Sequence, residues 1–496
     1  MMILTLLLGW TLYVYGRRIG GTAGGLLCLA AYVTTPTFLV FGPLVLTDLP
    51  ATLFFLVALW QLGEIWANPT RRNEWRFGVA FGAALLAKFT GVLMIPIILA
   101  LFVQTRYWPT SGEPRDKEGR REWRRARWGC VLRGVTWAAA VVYVVYLAFS
   151  WNQPDDAMNR VGSGSWAWVI RRPLMPVWLY LRGFLAMLLS GSRPTYLFGH
   201  TFAHGVPFYF PVVFALKSTL GFLLLLLLAA AAGFAHRGSG AVIPEAVWPH
   251  WRVLLVGFLA MLTVCLLSRL DISIRHFMTP IVILILMLAP LPRMIEALPG
   301  RRIWRTAVVV FAAISFVPAF ASYPYYFSFA NTLGFGRPSY YLFNGSNVTW
   351  NEGLLEVGRF AREHGLNAIE VDYLSVADPT LVVPEIRLWD CQSPTEQDAG
   401  HWVVVTGSSI REDHNCGYLE QYPHESLAGG GFYAFQMPAA IPPAGAPGGP
   451  PAVSQRRPIF GLPVDIRAWM LNVEQHPERL EPEMKELGKQ FQPKKQ

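Results

Sequence analysis

Long apolar runs separated by short polar segments fill the first two thirds of the chain. A helix that crosses a bilayer needs roughly 20 predominantly apolar residues, and about ten runs approach that length. The predicted spans are 1–16, 24–46, 50–66, 77–88, 91–107, 135–151, 209–234, 253–268, 277–292 and 305–322. This pattern predicts a polytopic α-helical membrane protein.

Two regions depart from simple spans. The runs 77–88 and 91–107 are short on both sides of Lys88, which predicts two half-buried helices that meet there. The stretch 166–190 is aromatic and apolar but is interrupted by polar residues and a proline, namely Arg171, Arg172, Pro173 and Arg182. We interpret it as an interfacial helix within a long loop, 152–208, rather than as a span.

The pattern changes after residue 322. Apolar positions at helical spacing predict a helix over 351–364. Alternating β-branched and aromatic residues predict strands over 368–374, 401–406 and 431–436. The predicted domains are therefore a membrane domain at 1–322, a small α/β domain at 323–438, and a Pro/Gly-rich linker with a charged tail at 439–496.

Composition agrees with this division, since 53% of the 496 residues are apolar and 15% are charged. Soluble domains carry about 25% charged residues. The net charge of +10 does not indicate nucleic-acid binding, because most of the excess lies in short loops between apolar runs. In such loops, basic residues are an orientation signal.

The basic loops predict how the chain is oriented. If the spans alternate, four basic segments fall on one side, and that side is then cytoplasmic. These segments are 17–18, 71–76, 106–133 and 293–305. The opposite side then holds Asp48, Lys88, the loop 152–208, the turn 269–276 and everything after residue 323.

The sequence contains no metal-binding or nucleotide-binding motif that would indicate another class of protein. The five cysteines include no CxxC pair, and a disulfide between Cys391 and Cys416 is open if that region is extracytoplasmic. His200 and His204 lack an evident third ligand and are flanked by glycines, so no metal site is predicted. There is no Walker A or Rossmann fingerprint.

Asp48 is the most informative candidate residue. It lies in Thr47-Asp48-Leu49-Pro50 between two apolar runs, where a carboxylate is costly unless it faces water, a partner or a ligand. One interpretation is a catalytic carboxylate held against a lipid-linked substrate. The other is a helix N-cap, because proline is favoured in the first helical turn.

Three basic residues on the same predicted side are candidate phosphate ligands. Lys88, in an apolar context, either binds phosphate as a point charge or extends to the lipid headgroups. Arg275 and His276 follow Asp271 in a short loop. Arginine is a preferred bidentate phosphate ligand, and an ion pair with Asp271 is the alternative.

In combination, these segments resemble a known family. The relevant blocks are LYVYGRRIGG (12–21), LTDLP (46–50), GAALLAKFTG (82–91), YFPV (209–212), LKST (216–219), IRHF (274–277), YPYYFSFAN (323–331) and NGSNVTWNE (344–352). Their order is similar to that of the protein mannosyltransferase-type glycosyltransferases of family 39, which have the GT-C fold. The last block resembles the DSNLDWGQD-like segment of bacterial members, and the likeness covers roughly 10–437.

The resemblance implies a sugar donor linked to polyprenyl phosphate and inverting transfer to a hydroxyl of a lipid, glycan or protein. It implies that Asp48 helps to build the catalytic site, and that Lys88, Arg275 and His276 bind the donor phosphate. No cofactor is certain, although a divalent metal is possible. The expected location is the bacterial inner (plasma) membrane, with the active site and the C-terminal domain on the periplasmic side.

The sequence departs from the family pattern in two places. Members begin with an additional helix and a first outer loop that carries the principal acid, and this sequence starts within the following helix. We expect either a start codon placed too far downstream or a natural truncation, with Asp48 as the second of two acids. Members also often carry Asp at the position of Thr349.

The sequence therefore predicts a membrane glycosyltransferase, mannosyltransferase-like, that acts at the outer face. One alternative is a secondary transporter, although transporters keep charges near the bilayer midplane and contain internal repeats. Here the charges lie at one face and no repeat is visible. A second alternative is a truncated, catalytically inactive relative with a scaffolding role.

Overall fold

The structure, a computed structural model, describes residues 1–107, 113–151, 167–189, 194–235, 247–343, 345–372, 379–411, 415–452 and 455. The chain divides into two compact units. The first comprises Met1–Thr195, Phe202–Tyr326 and Ala330–Leu333. The second comprises Tyr196–Thr201, Phe327–Phe329 and Gly334–Gln496. The predicted domain boundaries at 322 and 438 stay predictions, and the charged tail lies outside the described residues.

The first unit is built from helices. They are α1 (Met2–Val33), α2 (Pro36–Phe41), α3 (Asp48–Ala67), α4 (Arg71–Ala87), α5 (Met94–Tyr107), α6 (Lys117–Ser150), α7 (Ala167–Leu189), α8 (Tyr209–Lys217), α9 (Leu220–Ala235), α10 (Trp248–Leu266), α11 (Met278–Met287), α12 (Leu291–Glu296) and α13 (Arg301–Ala321). Helix α7 covers the stretch that the sequence predicts to be interfacial.

Six of the described helical segments are long and apolar enough to cross a membrane. They are Asp48–Ala67, Phe89–Tyr107, Lys117–Ser150, Trp248–Leu266, Ile274–Glu296 and Arg301–Ala321. Helices α8 and α9 form a pair bent by 113° that would make a seventh span. The polytopic helical class is thus confirmed, whereas about ten spans are not reached among the described residues.

Helix α1 is a hairpin rather than a single rod. Gly21 has a φ of 74°, which reverses the chain between the two arms. The arms contact each other, and the Tyr32 hydroxyl donates a hydrogen bond to the Thr5 carbonyl at 2.9 Å. Glycine is suited to the reversal because this φ is strained for residues with a Cβ.

The predicted span 24–46 is wrong as a continuous helix. Its helical part ends at Val33, and Thr35 adopts an extended conformation before Pro36, which begins α2. A residue that precedes proline is disfavoured in the helical region, so the apolar run is divided there. Hydrophobicity continues through this break, which is why the apolar pattern did not reveal it.

The break at Lys88 is confirmed. Helix α4 ends at Ala87, Lys88 is extended at φ −160° and ψ 142°, and a 3-10 turn at Phe89–Leu93 leads into α5. The start of α4 was predicted too late, at residue 77. The Thr70 hydroxyl caps the helix by accepting from the Asn73 N–H at 3.3 Å, so the polar first turn belongs to the helix.

Basic residues from three of the predicted cytoplasmic segments meet at one end of the helices. Arg18 bonds Glu64 near the end of α3, and Arg127 donates to the Trp66 carbonyl of the same helix at 2.8 Å. Nearby, Arg293 donates to the Ile19 carbonyl at 3.0 Å. This clustering agrees with the prediction that these segments share one side of the membrane.

The second unit contains a mixed five-stranded sheet. Its strands are β3 (Ile369–Asp372), β4 (Ile386–Leu388), β5 (Trp402–Thr406), β6 (His424–Leu427) and β7 (Phe432–Gln436), in the order β4-β3-β5-β7-β6. Strand β3 is parallel to β4 and β5, and β7 is antiparallel to β5 and β6. A short pair, β1 (Thr195–Leu197) and β2 (His200–Phe202), precedes it in the chain.

Helices α14 (Ser339–Leu342), α15 (Leu354–Glu363) and α16 (Gly407–Arg411) belong to the same unit. The sequence predicted β3, β5, β7 and α15, but it missed β4 and β6. Helix α15 begins later than predicted because Asn351 has a left-handed φ of 65°. Leu355 is 66% exposed, so it lies outside the core that the helical spacing predicted.

Two further features of this unit concern the predicted disulfide and linker. Cys391 and Cys416 form a disulfide, as the sequence left open. The predicted linker is packed where it is described, because the Gly448 carbonyl accepts hydrogen bonds from Gln421 and Tyr422.

Candidate active site

Asp48 is the first residue of α3 and is buried, with 8% of its surface exposed. The predicted N-cap role is not observed, because neither Thr47 nor Asp48 makes a capping hydrogen bond to the described helix start. The carboxylate instead accepts a hydrogen bond from the Lys88 ammonium at 2.7 Å. A buried carboxylate requires such a partner, since its desolvation is otherwise costly.

Lys88 reaches Asp48 because the helical ladder is broken there. The extended backbone at Lys88 separates α4 from the following 3-10 turn, and 26% of the side chain remains exposed. The ion pair therefore joins two segments that are 40 residues apart in the sequence. Simple extension of Lys88 toward lipid headgroups does not describe this geometry.

Arg275 and His276 lie on a 3-10 turn, Ile274–Phe277, immediately before α11. The Ser273 hydroxyl caps this turn by accepting from the Arg275 N–H at 3.3 Å. Phe277 anchors it, since its ring stacks on Phe210 of α8 with ring centroids 5.8 Å apart. His276 lies within electrostatic range of Asp48, Lys88 and Arg275.

The structure thus brings His276 into range of the Asp48–Lys88 pair, and Arg275 precedes His276 on the same turn. A polar contact between α3 and α11 supports the arrangement, because the Thr52 and Thr279 hydroxyls are 3.2 Å apart. The formal charges of Asp48, Lys88 and Arg275 give these residues a net positive charge. Such a site suits an anionic phosphate group.

Asp271, which precedes this turn, contacts the end of the loop 152–208. The ion pair with Arg275 that the sequence left open stays a prediction. The Asp271 side chain is fully buried, and one carboxylate oxygen accepts a hydrogen bond from the Val206 N–H at 2.7 Å. Burial raises the pKa of Asp271 from 3.8 to about 6, against the opposing hydrogen bonds from Val206 and Ser268. Asp271 therefore fastens the end of the loop 152–208 beside the turn that carries Arg275.

Two residues near this turn were missed as functional candidates. Lys217, at the end of α8, is 4% exposed although it lies in an apolar run. Asn331 stabilises the bend between α8 and α9, because its amide donates to the carbonyls of Ala215 at 2.6 Å and Ser218 at 2.7 Å. A lysine within an apolar run was a usable signal for Lys217, whereas nothing local indicated Asn331.

Among the described residues, one group has the spacing of metal ligands. It consists of Asp372, Cys391 and Cys416 in the second unit. Both sulfurs are joined in the disulfide, and the thiolate is the form that binds metals. The group therefore does not fit a metal in this oxidation state. His200 lies on β2 and His204 in the irregular segment after it, so no helix presents the two together.

Comparison with known proteins finds one family that resembles the N-terminal part of the chain. The family model described as dolichyl-phosphate-mannose-protein mannosyltransferase matches residues 1–113. That range contains Asp48 and Lys88, and it confirms the predicted resemblance over this part of the chain. Residues 1–113 therefore resemble a family of membrane glycosyltransferases.

Two solved structures are similar over most of the chain. They are crystal structures of ArnT from Cupriavidus metallidurans, one in the apo state and one bound to undecaprenyl phosphate. Each is 14% identical, covers 89% of this chain and 84% of its own, and has a TM-score of 0.39. A likeness of this degree carries no argument about function. No curated protein matches the chain significantly.

Proposed function

We propose that this protein is a membrane glycosyltransferase that moves a sugar from a polyprenyl-phosphate donor to a hydroxyl group. The observation that carries the proposal is the ion pair of Asp48 and Lys88, 2.7 Å apart, with His276 in electrostatic range and Arg275 next to His276 in the chain. The pair lies in the range that matches the mannosyltransferase family model. A lipid, a glycan or a protein supplies the acceptor hydroxyl.

In the proposed reaction, the acceptor oxygen forms a bond to the anomeric carbon of the donor sugar. The bond from that carbon to the phosphate oxygen breaks, polyprenyl phosphate leaves, and a base takes the hydroxyl proton. Negative charge grows on the departing phosphate. Cations already held in place stabilise such charge without reorganisation during the reaction, and Lys88 and Arg275 supply them.

The ion pair supports a positioning role for Asp48. The Asp48 carboxylate accepts from the Lys88 ammonium at 2.7 Å, and this charge-assisted hydrogen bond fixes the position of the ammonium. Asp48 therefore holds the Lys88 ammonium where 26% of the side chain faces outward, toward the donor phosphate. In this proposal the site and the second unit lie on the periplasmic side of a bacterial inner membrane.

The direct test is transfer of a radiolabelled hexose from polyprenyl phosphate by the purified protein in proteoliposomes. The expected result is labelled acceptor together with free polyprenyl phosphate in equal amounts. A membrane extract supplies lipid, glycan and protein acceptors together, and the labelled product identifies the acceptor class. Mannose is the first sugar to examine because of the family match.

The same vesicles distinguish the transporter alternative. Accumulation of free labelled sugar inside them, without release of polyprenyl phosphate, would contradict the proposal. Binding of the donor without either outcome would instead support an inactive relative.

A further inference from the structure

A tight turn in the second unit carries an aromatic residue in an unfavourable conformation. The Arg337 N–H donates to the Gly334 carbonyl at 3.1 Å, and the two residues between them have φ values of 53° (Phe335) and 70° (Gly336). These features are those of a type I′ turn, where Gly, Asn and Asp dominate. A left-handed φ is strained for a bulky residue such as phenylalanine. We name residues 334–337 the Phe335 turn.

The strain at Phe335 has no compensation within the described part of the chain. The side chain is 89% exposed, and it makes no aromatic contact with the described residues. Leu333, two residues earlier, is also exposed at 46%. The turn thus presents apolar groups outward from a conformation that polar or glycine residues adopt more readily, which points to a partner outside the protein.

A cation accompanies these apolar groups. The Arg337 guanidinium lies over the Tyr341 ring, 4.7 Å from its centroid. An exposed aromatic residue with a nearby arginine is the combination that occurs at membrane–water interfaces. The ring enters the boundary of the hydrocarbon, and the cation contacts lipid phosphates.

The course of the chain brings this turn close to the bilayer. Asn331 is fixed to the bend between α8 and α9, because its N–H donates to the Leu216 carbonyl at 2.8 Å and its amide to two neighbouring carbonyls. Four extended residues span at most about 14 Å, so Phe335 lies within that distance of Asn331. The bend follows the loop 152–208, which the basic loops predict to be on the outer side.

We propose that the Phe335 turn is a membrane contact. Phe335 and Leu333 enter the interface of the outer leaflet, and Arg337 binds phospholipid phosphates there. The contact holds the start of the second unit against the lipid surface from which a lipid-linked donor would enter. It depends on the predicted orientation but not on the proposed sugar transfer.

Site-specific fluorescence tests this proposal in the full-length protein. Phe335→Cys is labelled with a nitrobenzoxadiazole maleimide and reconstituted into vesicles of phosphatidylcholine and phosphatidylglycerol. The five native cysteines are three buried thiols and one disulfide, so they react poorly. The matched control is Leu355→Cys, an exposed apolar position of α15 in the same unit.

The probe at position 335 should emit at shorter wavelength than the probe at 355. It should also be quenched several-fold more by nitroxide-labelled acyl chains, and less by aqueous iodide. Equal quenching by lipid nitroxide at both positions would overturn the proposal, as would full access of iodide to the probe at 335. If Phe335→Cys does not fold, Leu333→Cys gives the same comparison, because its side chain is predicted to lie in the same interface.

Discussion

The two ends of α3 carry polar clusters that differ in how many hydrogen-bond partners their charged groups have among the described residues. In this sense we call the Asp48 end open and the Glu64 end closed. At its first residue, Asp48 pairs with Lys88, whose side chain remains 26% exposed. Near its last turn, Glu64 accepts hydrogen bonds from Trp60 at 3.1 Å and Arg18 at 3.2 Å. Glu64 lies 16 positions after Asp48, so these clusters are about 24 Å apart along the helix axis, which is most of the thickness of a hydrocarbon core.

Glu64 has several partners within the protein, although its side chain is 20% exposed and that of Arg18 is 50% exposed. Tyr15 and His250 are buried, and the Tyr15 hydroxyl lies 3.2 Å from His250 Nδ1. His250 Nε2 is 3.6 Å from Glu64, and the Tyr15 ring stacks on Trp60. At the Asp48 end, the Lys88 ammonium has one hydrogen-bond partner among the described residues, which is Asp48. This comparison predicts that the open end supports function and that the closed end supports structure.

The largest expected effect is on catalysis at the open end. Asp48→Asn should lower sugar transfer about 100-fold, which corresponds to about 2.7 kcal/mol in activation free energy. The reason is that Lys88 loses the carboxylate that positions its ammonium. Glu64→Gln is the matched control, and it should keep transfer within about twofold. Initial rates in proteoliposomes measure both. Equal losses in the two variants would show that both clusters act through stability alone.

The next effect is on stability at the closed end. Glu64→Ala should destabilise the protein by about 2 kcal/mol, since Trp60 and Arg18 lose their acceptor. Thermal unfolding in detergent measures this change. Glu296→Ala removes an exposed pair with Arg305 and should destabilise the protein less, because exposed ion pairs contribute little to stability. A Glu64 variant as stable as the Glu296 variant would contradict the structural role.

A smaller loss is expected from Gly63→Ala. A Cβ at this position would lie 2.4 Å from His250 Nδ1, so the ring must move and the cluster is strained by about 1.5 kcal/mol. Gly233→Ala is the control, because its nearest neighbour, Met294, is 3.7 Å away. If the unfolding curves of the two variants coincide, the packing around His250 is loose.

The smallest expected effect is on the pH dependence of stability, through Asp271. The pKa of Asp271 is raised from 3.8 to about 6 by burial, so the folded state holds a proton that the unfolded state releases. The resulting stabilisation is complete below pH 3.8 and is lost as pH rises to about 6. Asp271→Asn should remove this slope in stability against pH. An unchanged slope would show that other groups cause the pH dependence of stability.

The sequence anticipated much of this organisation because hydrophobic length and loop charge are local properties. The break at Lys88 and strands β3, β5 and β7 followed from runs and alternation along the chain. The division at Thr35 and the late start of α15 did not, since backbone conformation at single residues decided them. Strands β4 and β6 are only three and four residues long, too short for a clear periodic signal.

The candidate site shows the same limit. Asp48, Lys88, Arg275 and His276 were predicted on one side, because loop charges order the spans. Their assembly into one group depends on the packing of α3 and α11 and on the anchoring of the Arg275 turn by Phe277. The role of Asn331 could not be predicted from the sequence, because its partners, Ala215 and Ser218, are remote in sequence and contribute only backbone carbonyls.

By itself, the sequence determined that this is a polytopic membrane protein with acidic and basic candidates at one face. Those features follow from residue type and spacing, which fix hydrophobicity and charge. Only the tertiary structure decided that Asp48 forms an ion pair instead of a helix cap. A carboxylate at a helix start can accept from either kind of donor, and the position of the Lys88 break relative to α3 selects between them.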